Sequence, residues 1–171
     1  MRRVVYMVAA FAFLTSQAHA APAELAMTEE RNAAVGFAAT QQLVVMESII
    51  NQCRTFNGVG DQADNAYQAW NARNSLASRA AWTYLTLAGD VLTARQGAEA
   101  GKKFYADRKA EFGAAAKQSL LAIFKDGIVD IPACQRLVAE INRGAMDVSA
   151  MPEHFKMLQE IDAEILEMQP E

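Results

Sequence analysis

Two cysteines and two histidines are all that this chain of 171 residues offers toward thiol or imidazole chemistry. The cysteines, Cys53 and Cys134, form no CxxC pair, so a redox dithiol of the usual spacing is excluded. Too few histidine and thiol ligands remain to close a zinc site, and no CxxCH run marks covalent haem attachment. The four prolines stand at 22, 132, 152 and 170, outside the long periodic stretches. No run of alternating apolar residues suggests strands, and no lysine-rich or arginine-rich cluster offers a nucleic-acid footprint.

The first twenty residues read as a cleaved export signal. Arg2 and Arg3 precede an apolar run over residues 4–15, and Ala18-His19-Ala20 supplies a small-x-small cleavage pattern. The run is too short to span a bilayer, and no later stretch reaches 18 residues without charge, so stable membrane insertion is not expected. Residues 21–171 are then one domain of the periplasm or the extracellular space. Loss of Arg2 and Arg3 leaves fourteen basic residues against twenty acidic ones, a formal charge of −6. That balance disfavours nucleic acid and anionic lipid; a basic protein partner suits it, as does simple solubility. In an oxidising compartment the two cysteines are expected to pair. The chain-entropy estimate for a loop of that length is about 4.5 kcal/mol.

What the chain does have is helical periodicity. In residues 64–95, Tyr67, Trp70, Asn74, Ala77, Ala81, Tyr84, Ala88 and Val91 recur at steps of three or four. Unbroken, this spine would be about 48 Å long. A first helix is expected from Thr28, which caps it, to about Arg54, with Val35, Ala39, Leu43, Met46 and Ile50 inward. Residues 55–62 read as a loop, its Asn57-Gly58 and Gly60-Asp61 being turn dipeptides, with Asp61 or Asp64 capping the spine. The G-x-G here lacks a preceding strand and a following lysine, so it is no phosphate cradle. Gly97 and Gly101 bracket the next turn, and Gly113 suggests a close helix contact. A third helix over residues 102–126, a fourth over 131–143 begun by Asp130 and Pro132, and a last one capped by Ser149 complete an all-α, up-and-down bundle of four to five helices. The order brings Cys134 to the level of Cys53.

No stretch carries a specific catalytic motif, and no cofactor or metal site is expected. The leading expectation is an exported, non-enzymatic protein-binding protein of inhibitor, immunity or assembly-factor type, with a homodimer compatible. Its contact surface is placed on the loop behind Cys53: Phe56 as anchor, Asn57 beside it, Asp61 and Asp64 for acidic complementarity. The alternative is a small-molecule or haem-binding bundle with a pocket at Trp70, Arg73 and Asn74, whose structural reading is a satisfied polar cluster. A third reading is a hydrolase using His154, the histidine left after cleavage, although no serine or threonine nucleophile stands evidently beside it. Arg79 and Trp82 lie one face over, and an exposed tryptophan there would be a contact anchor. The methionines read as core filler, and Glu29/Glu30, Asp107/Glu111 and Glu160/Glu164 as solvated faces.

Overall fold

The computed structural model describes residues 26–168. The expected leader at 1–20 and most of the lead-in that follows it lie outside these residues. Six α-helices are present among the described residues, not four to five: α1 Glu29–Met46, α2 Gly60–Arg73, α3 Ser75–Gln96, α4 Ala98–Ile123, α5 Ile131–Asn142 and α6 Pro152–Glu167. Helix α1 continues through a π-helical stretch, Glu47–Gln52, and a 3-10 turn, Cys53–Thr55.

The extra helix comes from one break. The expected spine is not one rod: it is interrupted at Asn74, whose ψ of 10° leaves the helical range. Its side-chain amide donates to the Trp70 carbonyl at 2.8 Å, the same oxygen that accepts the Asn74 backbone N–H at 2.9 Å. Short polar side chains compete for backbone groups in this way, and here the competition bends the helix. A second break, at the expected boundary between the fourth and last helices, lies between α5 and α6, where Gly144 takes a φ of 81° and a 3-10 turn, Val148–Ala150, follows.

Pairings between elements fix the directions. Arg31 meets Glu164, and Phe37 stacks near His154, so α1 and α6 are antiparallel. Gly89 lies against Tyr105 and Thr93 against Gly101, so α3 and α4 are antiparallel. Gly36 meets Phe112, while Met46 and Leu120 share a cavity wall, so α1 and α4 are parallel. The chain thus makes four staves: α1 down, α2 with α3 up, α4 down, α5 with α6 up. Both rising staves break at one level. Helices α1 and α3 each pack against both α4 and α6 and form the centre of the bundle.

The core is correspondingly in two parts. The upper one joins α1, α3, α4 and α6 through Val35, Ala39, Ala81, Tyr84, Phe112 and Leu158. The lower one joins the end of α1 to α2, α5 and the end of α4 through Ile49, Val59, Trp70, Phe124, Leu137 and Ile141. The stretch Glu29–Thr55 is long and apolar enough to cross a membrane by length and composition; in this fold it is the central stave, lining both cores.

Local expectations met different fates. Thr28 Oγ1 accepts the Arg31 N–H, and Asp130 Oδ1 accepts that of Ala133, so both caps are in place. Neither Asp61 nor Asp64 caps α2, because the helix has already begun at Gly60 behind Val59. Ser149 does not cap α6; it sits in the preceding 3-10 turn, and Met151 takes the cap position. Gly97 alone turns the chain between α3 and α4, with a φ of 92°. Gly101 lies inside α4, where a Cβ would collide with Thr93 Oγ1, while Gly113 has nothing near its absent side chain. Met46, expected inward, is exposed, and Val44 and Val45 are buried in its place.

Candidate functional site

The lower pole is organised by the Cys53–Cys134 disulfide, whose Cα atoms are 5.4 Å apart. From Cys53 the chain makes a knitted turn. The Phe56 N–H donates to the Cys53 carbonyl at 3.2 Å, and the N–H groups of Val59 and Gly60 both donate to the Phe56 carbonyl at 3.1 Å. Gly58, with φ 82°, allows the reversal, and a side chain at Gly60 would strike the Arg54 carbonyl. Of the expected contact residues, Phe56 is half-buried against the lower core, whereas Asn57 and Asp61 are exposed. Asp64 is half-buried and engaged with Arg54 at 3.2 Å.

Sequence reasoning missed the apolar residues at this pole. Leu121 is 53% exposed, Ile128 63% and Ile131 41%, at the end of α4 and on either side of the Asp130 cap. Ile131 opens the helix that carries Cys134, so the staple holds it at the same pole as the 56–60 turn. The available signal was position: Ile128 follows the Gly127 turn and Ile131 precedes Pro132, both before the α5 stripe begins.

Trp70, Arg73 and Asn74 are brought together, but around a partner from the second break. Arg73 Nε donates to Asp147 Oδ2 at 2.7 Å, and its Nη2 to Asp147 Oδ1 at 3.0 Å and to the Ile141 carbonyl at 2.6 Å. Asn74 Nδ2 also reaches Asp147 Oδ1 at 3.1 Å, while its Oδ1 accepts the Val148 N–H at 2.7 Å. Trp70 Nε1 donates to the Met146 carbonyl at 2.9 Å. The carboxylate of Asp147 raises the Arg73 guanidinium above its ordinary value. These donors and acceptors are satisfied within the chain, and the cluster clasps the two broken staves. Asp147 was the member not anticipated, because its partners are more than seventy positions away in sequence.

Two further ion pairs tie α6 to the centre. Arg79 grips the buried Asp162 with Nε at 2.9 Å and Nη2 at 2.7 Å, which raises the Arg79 guanidinium. Arg31 holds Glu164 through both terminal guanidinium nitrogens, Nη1 and Nη2, so the Glu164 carboxyl is held below its ordinary value. Trp82 is 43% exposed, its Nε1 donating to Gln42 Oε1 at 2.6 Å.

His154 lines a wide groove of about 550 Å³ with Glu29, Glu30, Glu153, Ala33 and Met157. Glu30 is held below its ordinary value by its backbone N–H at the start of α1 and by Thr28. The groove sets an imidazole among carboxylates, which suits proton exchange, but none of its lining residues is a hydroxyl or thiol nucleophile. Among the described residues no group of three or more histidine, cysteine, aspartate or glutamate side chains could hold a metal ion.

Comparison with protein-family models, with curated proteins and with solved structures finds no match for this chain.

Proposed function

We propose that this is a non-enzymatic protein-binding protein of the periplasm or extracellular space, of inhibitor, immunity or assembly-factor type, and that the disulfide pole is its contact face. The observation that carries the reading is the exposure of Leu121, Ile128 and Ile131 within eleven positions, at the pole where Asn57 and Asp61 are also exposed. Apolar side chains gathered at one end of a small domain mark contact surfaces more often than singly scattered ones do. Preordering supports the reading too: a turn held by three backbone hydrogen bonds beside a disulfide loses little freedom on binding. Ile128 and Ile131 supply apolar area, Asp61 supplies charge that suits a basic partner, and Phe56 braces the turn from inside.

Export rests on the leader pattern at residues 1–20 and on the paired cysteines, which persist in oxidising compartments. The test is affinity capture of partners from the native exported fraction with immobilised protein, repeated with an Ile128→Asp/Ile131→Asp variant. A stoichiometric partner held by the parent and released by the variant supports the reading. Equal retention by both moves the contact face elsewhere.

A further inference from the structure

A second surface, independent of the disulfide pole, lies between α1, α3 and α4. Leu43, Leu85 and Phe112 form the floor of a cavity of about 340 Å³, and Trp82 and Tyr105 its sides. That volume falls in the range of small-molecule sites. The polar atoms of its walls are already engaged within the chain. Tyr105 donates its hydroxyl to the Thr86 carbonyl at 3.1 Å, and Thr86 Oγ1 donates to the Trp82 carbonyl at 2.9 Å. Trp82 Nε1 is on Gln42. The groove therefore shows carbon to an occupant and has little to offer a peptide backbone. A second cavity of about 280 Å³, lined by Met46, Ala116 and Leu120 and sharing Leu43, continues it along α1 and α4. From Tyr105 to Leu120 the track is about 22 Å long at 1.5 Å per helical residue.

Around the first cavity charge is confined to the α4 rim, while the second also has Glu47 and Lys117 on its walls. Arg108 has Nη1 2.8 Å from Glu111 Oε2, while its Nε is shut off from solvent with no acceptor. A buried donor without an acceptor calls for an explanation. The Nε/Nη2 edge of a guanidinium is the fork that takes a carboxylate through two parallel bonds. Lys109 beside it also lines the cavity, and among the described residues it has no acidic partner. An apolar trough with two cations at its edge matches one chemistry: an unbranched chain ending in a carboxylate.

We propose that this groove binds a free fatty acid, its alkyl chain laid along α1 and α4 and its carboxylate on Arg108 and Lys109. Trp82 makes the test direct, because Trp70 is fully buried and bonded, so a ligand-induced change in tryptophan emission reports Trp82. Sodium dodecanoate, titrated below its micelle threshold, is expected to give a saturable shift with one site per chain, matched by calorimetry on the parent protein, and a Trp82→Phe variant should lose the optical signal. Thr86→Phe, which plugs the groove from its exposed edge, should abolish binding. Arg108→Gln should weaken it about tenfold, the loss of one charge-assisted bond pair, and neutral dodecanol should bind more weakly by a similar factor. The absence of a saturable response overturns the proposal, as does dodecanoate binding unchanged in Thr86→Phe, or dodecanol binding as tightly as dodecanoate. Self-association that Thr86→Phe breaks, in a protein that does not bind dodecanoate, would give the groove to a second copy and overturn it equally. None of these readouts involves Ile128 or Ile131, so the two surfaces stand or fall separately.

Discussion

Asp147 holds Arg73 across the two interrupted staves, carboxylate to guanidinium through two bonds of 2.7 and 3.0 Å, and the same Oδ1 also accepts from Asn74. One acid on the second break thus satisfies three donor nitrogens on the first. This clasp keeps α2 with α5, and α3 with α6, in register.

Removing the acid should therefore loosen the fold more than an ordinary surface change. Asp147→Ala is expected to lower unfolding stability by about 2–3 kcal/mol, the loss of charge-assisted bonds to a buried acceptor. Arg73→Ala should cost at least as much, because it leaves behind the Asp147 carboxylate, whose side chain is only 10% exposed. Urea unfolding followed by circular dichroism measures both.

The disulfide staples the lower core, closing a loop of 81 positions between α1 and α5. Cys53→Ser/Cys134→Ser should lose about 2–5 kcal/mol. Because the upper core is built from other residues, proteolysis of the reduced protein should begin in the 56–60 turn rather than in α3. Limited digestion with mass mapping reads the order.

Glu164 gives the fold an acid dependence of definite sign. Its carboxyl is lowered by the hydrogen bonds from Arg31, so its contribution is complete above the ordinary value of 4.5 and is lost as pH falls through the lowered value. The side chain is 44% exposed, so the effect is modest and salt-sensitive. Melting temperatures at neutral and strongly acidic pH should converge more in Glu164→Gln than in the parent.

Two glycines in α3 and α4 are packing residues, and a third is not. A Cβ at Gly89 would run into the Tyr105 ring, and one at Gly101 into Thr93. Gly101→Val should destabilise by about 1–3 kcal/mol through overpacking. Gly113→Ala meets nothing and should stabilise by about 0.5–1 kcal/mol through helix propensity. Thermal melts of the two variants should move in opposite directions.

Features whose cause is local were legible in the sequence. The caps at Thr28 and Asp130 are written in their own hydroxyl and carboxylate, and the cysteine pairing followed from there being no other partner. The break at Asn74 was not legible, because asparagine is tolerated on a helical stripe and the groups that fix it, Asp147 and the Val148 N–H, come from a distant segment. Gly101 reads as a turn by composition yet serves close approach, a property of the neighbouring helix. The same limit hid the proposed contact face: Ile128 and Ile131 flank a cap, where apolar residues usually turn inward, and only the packed chain reveals them left outside.

The disulfide pole as contact face is tested most directly by the stoichiometry of partner capture from the exported fraction, measured for the parent and for Ile128→Asp/Ile131→Asp at matched circular dichroism and melting temperature. A single protein held one-to-one by the parent and lost from the variant is the expected result. Capture of that protein in equal amount by both, or of none by the parent, would contradict it.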